Sequence, residues 1–287
     1  MNGGLVRLRE ILNEITPSER KVAEFILQNP EQIIEWSVAE LARESGGSQA
    51  AVIRLCKSAG FKGYQELKLK VAGDLQGAAA SNGGYQELSR DSTIEEIIES
   101  VSNNNIQSIH DTLKIIDAAN VQRAVDALHH AQRIFFYGIG ASNLIAQDAQ
   151  LKFTRIGKTC LSYSDVDLQL MSAVMLNKDD VVIGISYSGE TTEIVDCILQ
   201  ANQLGATTIS ITRYGNSKLS QSANIPLYIS STETEIRSAA TSSRITQLNM
   251  IDILYLGVAS LDYDQSVTYL EKSRKVVERH RRGRSRG

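Results

Sequence analysis

A short β-branched run that stops in a loop of hydroxyl side chains constrains this sequence more than any other stretch. Residues 181–192 read VVIGISYSGETT, and a segment with helical apolar spacing follows them. The pattern predicts a buried strand, a tight turn and the N-terminus of a helix. Backbone N–H groups at such a terminus have no partner inside the helix, and the helix dipole adds positive potential there. The stretch therefore predicts an anion site.

The side chains of this loop suit a phosphate group. Ser186, Ser188 and Thr191 supply hydroxyl donors, and Gly189 lacks the Cβ that would block close approach. For a single loop of this kind, an ordinary turn whose Ser and Thr only cap a helix is the open alternative.

A second loop of the same kind favours the phosphate site. The apolar run 134–137 leads into GIGAS at 138–142, and a helical pattern follows. Further strands are predicted near 159–163, 181–185, 208–212 and 226–229, with helices between them. This alternation predicts an α/β fold with a doubly wound parallel sheet, in which both loops face the crevice where ligands bind.

The paired motifs carry a family resemblance. S-x-S-G-x-T after one strand, with G-x-G-x-S after the strand before it, resembles the sugar isomerase (SIS) domain over roughly residues 121–261. The resemblance implies that Ser186, Ser188 and Thr191 hold the phosphate of a phosphosugar, with Ser142 nearby.

Four charged residues are further candidates for ligand contacts. Glu190 lies in the phosphate loop, and Asp165 follows the second predicted strand. Glu233 and Arg237 lie in TETEIRSAATSSR, the stretch that the SIS resemblance implies helps to close the sugar site. Solvated surface charges are an equally good interpretation of that stretch.

The N-terminal part of the chain has the proportions of an all-α helix-turn-helix domain. Residues 37–56 predict a helix, a glycine turn and a second helix, with small Ala42 at the crossing and Gly46 at a positive φ. A helical hairpin used only for packing or dimerisation is the alternative.

The second helix of this pair has an outward face suited to DNA. Ser48 caps the helix, and its outward residues are Gln49, Ala50, Arg54 and Lys57. Gln and Arg are the side chains that read adenine and guanine edges in the major groove. The sequence therefore predicts that these five residues contact DNA.

The stretch SQAAVIRLCKSAGFKGYQELKLKVAGDL closely resembles the end of the N-terminal domain of RpiR-type (MurR-like) regulators, a family that joins such a domain to a SIS domain. The resemblance implies a transcriptional regulator, usually a repressor, that binds a palindromic operator as a homodimer or higher homo-oligomer. Its effector would be N-acetylmuramic acid 6-phosphate or another amino-sugar, pentose or hexose phosphate.

Composition shifts predict the domain boundaries. The helix-turn-helix domain is expected at 1–77, a flexible linker at 78–92, the SIS domain with its leading helices at 93–265 and a basic C-terminal helix or tail at 266–287. Thr93 is predicted to cap a helix with Ile94, Ile97, Ile98 and Val101 along one face. The arginine-rich end, RHRRGRSR, is interpreted as a solvated or disordered tail, with attraction to DNA phosphates as the alternative.

Composition also excludes several classes of function. The net charge is −3, so DNA contact requires a local basic patch rather than a basic chain. Three isolated cysteines read as reduced core residues, and four histidines show no metal-ligand spacing. With no signal peptide or apolar span in view, the chain is expected to be cytoplasmic, without membrane contact, metal or cofactor.

Two enzyme classes compete with the regulator. GIGAS resembles half of a dinucleotide-binding turn, but Asn143 stands where that motif has its third glycine. A phosphosugar isomerase or lyase is the stronger rival, with Glu190 or Glu233 as its base. Because an isomerase has no use for a helix-turn-helix, no catalytic residue and no enzymatic activity are predicted.

Overall fold

A computed structural model of the chain describes residues 3–78, 92–231 and 240–284. The described residues fall into two compact units. Unit 1 comprises Met1–Ile116, Arg213–Asn216 and Tyr228–Thr246, and unit 2 comprises Asp117–Thr212, Ser217–Leu227 and Gln247–Gly287. None of the helices over the described residues combines the length and apolar character that a membrane span requires.

Unit 1 is helical. Its helices are α1 (Gly4–Glu10), α2 (Pro17–Gln28), α3 (Val38–Glu44), α4 (Gln49–Ser58), α5 (Tyr64–Ala78) and α6 (Ile94–Ile115). Thr16, Ser37 and Thr93 each begin a helix in a capping box with the glutamate three residues later. The cap predicted at Thr93 is confirmed, and so is the all-α character of the N-terminal part.

A buried carboxyl lies in unit 1 at the end of α1. Glu10 accepts a hydrogen bond from the hydroxyl of Ser230 at 2.6 Å and is 9% exposed. Burial raises the pKa of Glu10 to about 7, although the hydrogen bonds from Ser230 and Ser231 and the charges of Arg213 and Arg9 oppose that rise.

The apolar face predicted along α6 is not covered by the part of the chain that the structure describes. Ile94 and Ile98 are 61% and 60% exposed, and Val101 is exposed as well. The spacing indicates a helix correctly, but it does not show whether the chain supplies a surface for that face.

Over the described residues, five strands form one sheet between helices. They are β1 (Arg133–Gly138), β2 (Cys160–Ser162), β3 (Asp180–Ile185), β4 (Thr207–Arg213) and β5 (Ile225–Ile229). The helices around them are α7 (Ala118–His130), α8 (Ala141–Arg155), α9 (Val166–Ala173), α10 (Thr192–Gln203), α11 (Lys218–Ser222), α12 (Thr241–Leu261) and α13 (Tyr263–Arg284). The predicted α/β fold with a parallel sheet is confirmed.

The strand order is β2-β1-β3-β4-β5, and the β1–β2, β1–β3 and β3–β4 pairs are parallel. The order reverses between β1 and β3, because the chain moves to one side of β1 for β2 and to the other side for β3. In the register of this pair, Gly138 at the end of β1 lies opposite Ile185 at the end of β3. Ligands of open α/β sheets bind at such a reversal.

An ion pair holds β1 and β3 in register at the N-terminal ends of the two strands. Arg133 and Asp180 are register partners, and the guanidinium donates to both carboxylate oxygens, at 2.9 and 2.5 Å. Asp180 is 1% exposed and also accepts from the backbone N–H of Asn177. The pair therefore fixes which residues of the two strands lie side by side at the carboxyl ends of β1 and β3.

The C-terminal segment, expected as a basic helix or tail, lies in a helix. Helix α13 continues through Arg284, so the basic segment is helical as far as the structure describes it.

The three cysteines are free, as expected, with Cys56 and Cys197 buried and Cys160 partly buried.

Candidate ligand site and DNA-binding helix

The loop after β3, residues 186–191, is held by its own hydroxyls. Ser186 is 4% exposed, and its Oγ lies 2.9 Å from Oγ1 of Thr191 and accepts from the N–H of Gly189 at 3.1 Å. Ser188 Oγ accepts from the N–H of Glu190 at 3.3 Å. Ser186 thus braces the turn from inside, while Ser188 and Thr191 are partly exposed on it.

This arrangement bears on whether the hydroxyls only cap a helix. Thr191 is the N-cap residue of α10, but its hydroxyl is engaged with Ser186 and makes no cap hydrogen bond to this helix. The N-terminal N–H groups of a 12-residue helix therefore lie at the loop without the usual side-chain acceptor. That is the arrangement an anion site requires.

Gly189 is required at its position by both conformation and space. Its φ is +69°, and a Cβ there would lie 2.1 Å from Oγ of Ser217. The carbonyl of Gly189 accepts from the N–H of Leu219 at 3.0 Å. The carboxylate of Glu190 binds Lys218 through the backbone N–H at 3.0 Å and through Nζ at 3.1 Å. These contacts hold the loop 186–191 against the start of α11.

The loop after β1, residues 139–142, also leads into a helix without a side-chain cap. Gly140 is the N-cap residue of α8, with φ +60°, and as a glycine it supplies no side-chain cap to this helix. Gly138 must be glycine, because a Cβ would lie 2.6 Å from the carbonyl oxygen of Ser142. Two helices thus present uncapped N-termini at the ends of neighbouring strands.

Buried amides hold this first loop, and the sequence reasoning missed them. The Gln169 side chain, 1% exposed, bonds both the N–H and the carbonyl of Gly138, at 3.1 and 2.9 Å. Buried Gln247 lies 3.4 Å from Oγ of Ser142, and Asn143 donates to the carbonyl of Tyr163 at 2.8 Å. A glutamine inside the apolar run of α9 is a signal that could have pointed to a buried amide.

The turn between α3 and α4 has the geometry of a helix-turn-helix. Gly46 has φ +63°, as predicted, and the N–H groups of Gly46 and Gly47 bond to Arg43 and Ala42 in a Schellman motif. A Cβ on Gly47 would lie 2.7 Å from a methyl of Val22, so α2 packs closely on the turn. Ser48 caps α4 by accepting from Ala51 at 3.1 Å, as the sequence predicts.

The outward face of α4 is available for a partner. Its exposed residues are Ser48, Gln49, Ala50, Ile53, Arg54 and Lys57. Arg54 is held at 3.3 Å from the hydroxyl of Ser18, at the start of α2. The opposite face is closed, with Val52 and Leu55 fully buried.

Comparison with known proteins assigns the two parts of the chain. Residues 2–78 match the helix-turn-helix domain of the rpiR family, and residues 127–257 match the SIS domain. An uncharacterized HTH-type transcriptional regulator of Caldanaerobacter subterraneus subsp. tengcongensis is 44% identical over 96% of this chain and 98% of its own length. This chain belongs to the RpiR family of transcriptional regulators.

Two other proteins extend the comparison of this RpiR-family regulator. The uncharacterized HTH-type transcriptional regulator YbbH of Bacillus subtilis is 42% identical over 96% of this chain and 97% of its own length. The solved structure of the Vibrio vulnificus NanR protein complexed with ManNAc-6P has a TM-score of 0.60 and 27% identity, over 96% of this chain and 97% of that one. The helix-turn-helix domain of the RpiR-family chain implies that it binds DNA.

The structure brings together part of the predicted ligand set of this RpiR-family regulator. The loops that carry Ser142, Ser186, Ser188, Gly189, Glu190 and Thr191 begin on hydrogen-bonded neighbouring strands. Asp165 caps α9 by accepting from Leu168 at 2.9 Å and follows β2, which pairs with β1. Glu233 and Arg237 lie outside the described residues. No group of three or more His, Cys, Asp or Glu residues in the described part could hold a metal ion.

Proposed function

We propose that this chain regulates transcription by binding operator DNA through α4 and by sensing a phosphorylated sugar at the ends of β1 and β3. One observation carries the ligand half of the proposal: two uncapped helix N-termini lie at the ends of the strands between which the sheet order reverses. Each terminus attracts negative charge through its N–H groups and its dipole.

The hydroxyls and glycine of the second loop favour a phosphate as that anion. Ser188 and Thr191 add donors beside the N-terminus of α10, and the glycine at 189 lets the backbone approach the ligand. The NanR complex supports an N-acetylated amino-sugar 6-phosphate as the first compound to test. N-acetylmuramic acid 6-phosphate, other amino-sugar phosphates, and pentose or hexose phosphates complete the panel.

The DNA half of the proposal rests on the exposed face of α4. Ser48, Gln49, Ala50, Arg54 and Lys57 are its proposed contacts, with Arg54 and Gln49 reading base edges. A dimer would place two copies of α4 one turn of DNA apart, about 34 Å, on a palindromic operator. The proposed outcome is repression of transcription in the cytoplasm, with an operator affinity that the sugar phosphate changes.

A phosphosugar isomerase or lyase is the alternative function. Such an enzyme needs a base that can take a proton beside the sugar carbonyl. The carboxylate of Glu190 is already bonded to the backbone and side chain of Lys218, which makes it a poor candidate for that base. Product formed from the sugar-phosphate panel at ordinary enzyme rates, and lost in Glu190→Gln, would favour the enzyme.

Replacing Ser188 by alanine is expected to weaken sugar-phosphate binding by about tenfold or more. A hydrogen bond to a charged group is worth roughly 1.5–3 kcal/mol, and Ser188 is partly exposed on the loop. Isothermal titration calorimetry with the panel measures the loss. The dephosphorylated sugar should bind poorly to the wild type, since the loop would have no anion to hold.

The matched control for this experiment is Ser260→Ala, which removes an exposed serine hydroxyl bonded to Gly257 in α12. The control should bind the sugar phosphate as the wild type does. Equal affinity for the free and phosphorylated sugar, or unchanged affinity in Ser188→Ala with a lower melting temperature, would make the loop a structural turn and remove the basis of the sensing proposal.

Replacing Arg54 by alanine is expected to cost roughly 1–3 kcal/mol of binding to the cognate operator and less on random duplexes, because a bidentate base contact discriminates between sequences. Fluorescence anisotropy at a fixed salt concentration measures both. Arg155→Ala, at an exposed arginine in the last turn of α8, is the control for loss of one surface arginine. Equal losses on both duplexes would show that Arg54 contacts only phosphate, and a wild type that binds no DNA would refute the regulator.

A further inference from the structure

Residues Arg213–Asn216, at the end of β4, are tied closely to the first helices of unit 1. The guanidinium of Arg213 donates to the carbonyl of Glu10 at 3.0 Å and to Glu14 Oε1 at 2.6 Å. The N–H of Asn216 donates to the other oxygen of Glu14 at 3.2 Å. A Cβ on Gly215 would lie 2.7 Å from that carboxylate. The segment therefore packs closely against the side chain of Glu14.

Tyr214, within this segment, contacts the C-terminal end of α4. Its hydroxyl donates to the carbonyl of Ala59, the C-cap residue of α4, at 3.0 Å. Gly60 follows with φ +72°, and a Cβ there would lie 2.7 Å from the Tyr214 hydroxyl. The guanidinium of Arg7 lies over the rings of both Tyr214 and Phe61, at 5.2 and 5.3 Å.

The turn that Tyr214 contacts terminates α4 in a Schellman motif. The N–H of Phe61 bonds to the carbonyl of Cys56 at 2.8 Å, and the N–H of Gly60 bonds to that of Lys57 at 3.0 Å. The end of the helix that carries the proposed DNA contacts is thus fixed partly by a residue from the end of β4.

The next residue along the chain, Ser217, contacts the phosphate loop of unit 2. Its Oγ fills the position beside Gly189, where a Cβ would lie at 2.1 Å. The two residues that follow bind the same loop, Leu219 at the carbonyl of Gly189 and Lys218 at the carboxylate of Glu190. The backbone therefore passes from a contact with the end of α4 to a contact with the phosphate loop within the five residues 213–217.

We propose that the segment Arg213–Ser217 transmits the state of the phosphate loop to the C-terminal end of α4, with Ser217 and Tyr214 as its positioning residues. The inference rests on the proposed function for the ligand and for the DNA. Ser217 packs so closely on Gly189 that a shift of the loop displaces it, because close-packed groups move together. The displacement reaches Tyr214 through a segment too short to absorb it and changes its hydrogen bond to Ala59. Reciprocally, DNA bound to α4 changes the affinity of the loop for its anion.

Hydrogen–deuterium exchange on the full-length chain tests this coupling without sugar or DNA. Gly189→Ala perturbs the loop, because the new Cβ collides with Ser217. The expected result is about fivefold faster exchange of the amides of Ala59, Gly60 and Phe61, as loss of a hydrogen bond worth about 1 kcal/mol opens the turn more often. The amide of Val182, in the middle of β3, reports whether the sheet stays folded.

The matched control is Gly205→Ala. Gly205 also has a positive φ, +80°, but a Cβ there meets only Lys178, at 3.6 Å. The Gly205→Ala substitution introduces similar backbone strain without touching Ser217. The amides at the end of α4 should therefore exchange as in the wild type. Ser217→Ala is the second variant, which removes the hydroxyl beside Gly189. It should speed the exchange of the same amides by about twofold or more in a folded chain.

A coupling cycle with Tyr214→Phe separates transmission from a structural role. This substitution removes the hydroxyl bonded to Ala59 and keeps the ring beside Arg7. In the Tyr214→Phe background, Gly189→Ala and Ser217→Ala should no longer increase the exchange rates of the amides at the end of α4. Increments of equal size with and without the Tyr214 hydroxyl, or exchange in Gly189→Ala equal to that in Gly205→Ala, would overturn the inference. Because neither ligand is present, a failure of sugar or DNA binding would not alter this result.

Discussion

Replacing Asp180 by alanine is expected to lower the free energy of unfolding by about 1.5–3 kcal/mol, because it removes a buried carboxylate that accepts charge-assisted hydrogen bonds from Arg133. Asp180 is 1% exposed and accepts two bonds from Arg133 and one from the N–H of Asn177. Urea denaturation followed by circular dichroism measures the change. Because the pair fixes the β1–β3 register, the loss also falls on the strands that end at the proposed ligand site.

The control is Glu278→Ala, which breaks the exposed Arg274–Glu278 pair of α13. Exposed i,i+4 pairs contribute about 0.3–0.5 kcal/mol, so this variant should unfold almost as the wild type does. A loss in Asp180→Ala no larger than in the control would mean that the Arg133–Asp180 pair does not hold the two strands.

Replacing Glu10 by glutamine is expected to remove a pH dependence of stability. The pKa of Glu10 is raised from 4.5 to about 7, chiefly by burial, so the folded chain holds this proton over a range where the unfolded chain has lost it. In the wild type, this group's contribution is fully present below about pH 4.5 and is lost as the pH rises through about 7, a total of about 3 kcal/mol. Glutamine cannot ionise, so the variant should be the more stable chain at pH 8.

Urea denaturation of both chains at intervals between pH 4 and pH 8.5 measures this difference. The free energies of unfolding of the two chains should diverge steadily between about pH 4.5 and pH 7 and then run parallel. Glu24→Gln, which removes a glutamate from the exposed Arg20–Glu24 pair, should show the same pH dependence of unfolding free energy as the wild type. Curves for wild type and Glu10→Gln that stay parallel throughout would show that Glu10 is ionised in the folded chain.

Local sequence patterns were sufficient for the strands and for the two loops. The β-branched run at 181–185 and the glycines at 138 and 189 reflect constraints that act within a few residues, namely burial on both sheet faces and close backbone approach. The helix caps at Ser48 and Thr93 are local in the same sense, and both are confirmed.

Long-range contacts could not be predicted from those patterns. Nothing near Tyr214 in the sequence indicates that its hydroxyl bonds a carbonyl 155 residues away, and Gln169 bonds Gly138 across 31 residues. The exposure of the α6 face is a failure of the same kind, because a helical apolar stripe is compatible with an intramolecular or an intermolecular surface. The ligand contacts themselves, including those of Asp165, stay predictions.

The two uncapped helices at the ends of β1 and β3 also bear on how long the protein survives in a cell. A missing side-chain N-cap costs from a few tenths to about 1 kcal/mol, so the chain without an anion is less stable than its fold allows. A ligand present at about 100 times its Kd would add roughly 2.7 kcal/mol and lower the unfolded fraction about a hundredfold. Since proteases degrade the unfolded fraction, a bound sugar phosphate would slow the turnover of the regulator. The effector would then control how much regulator is present as well as what it binds.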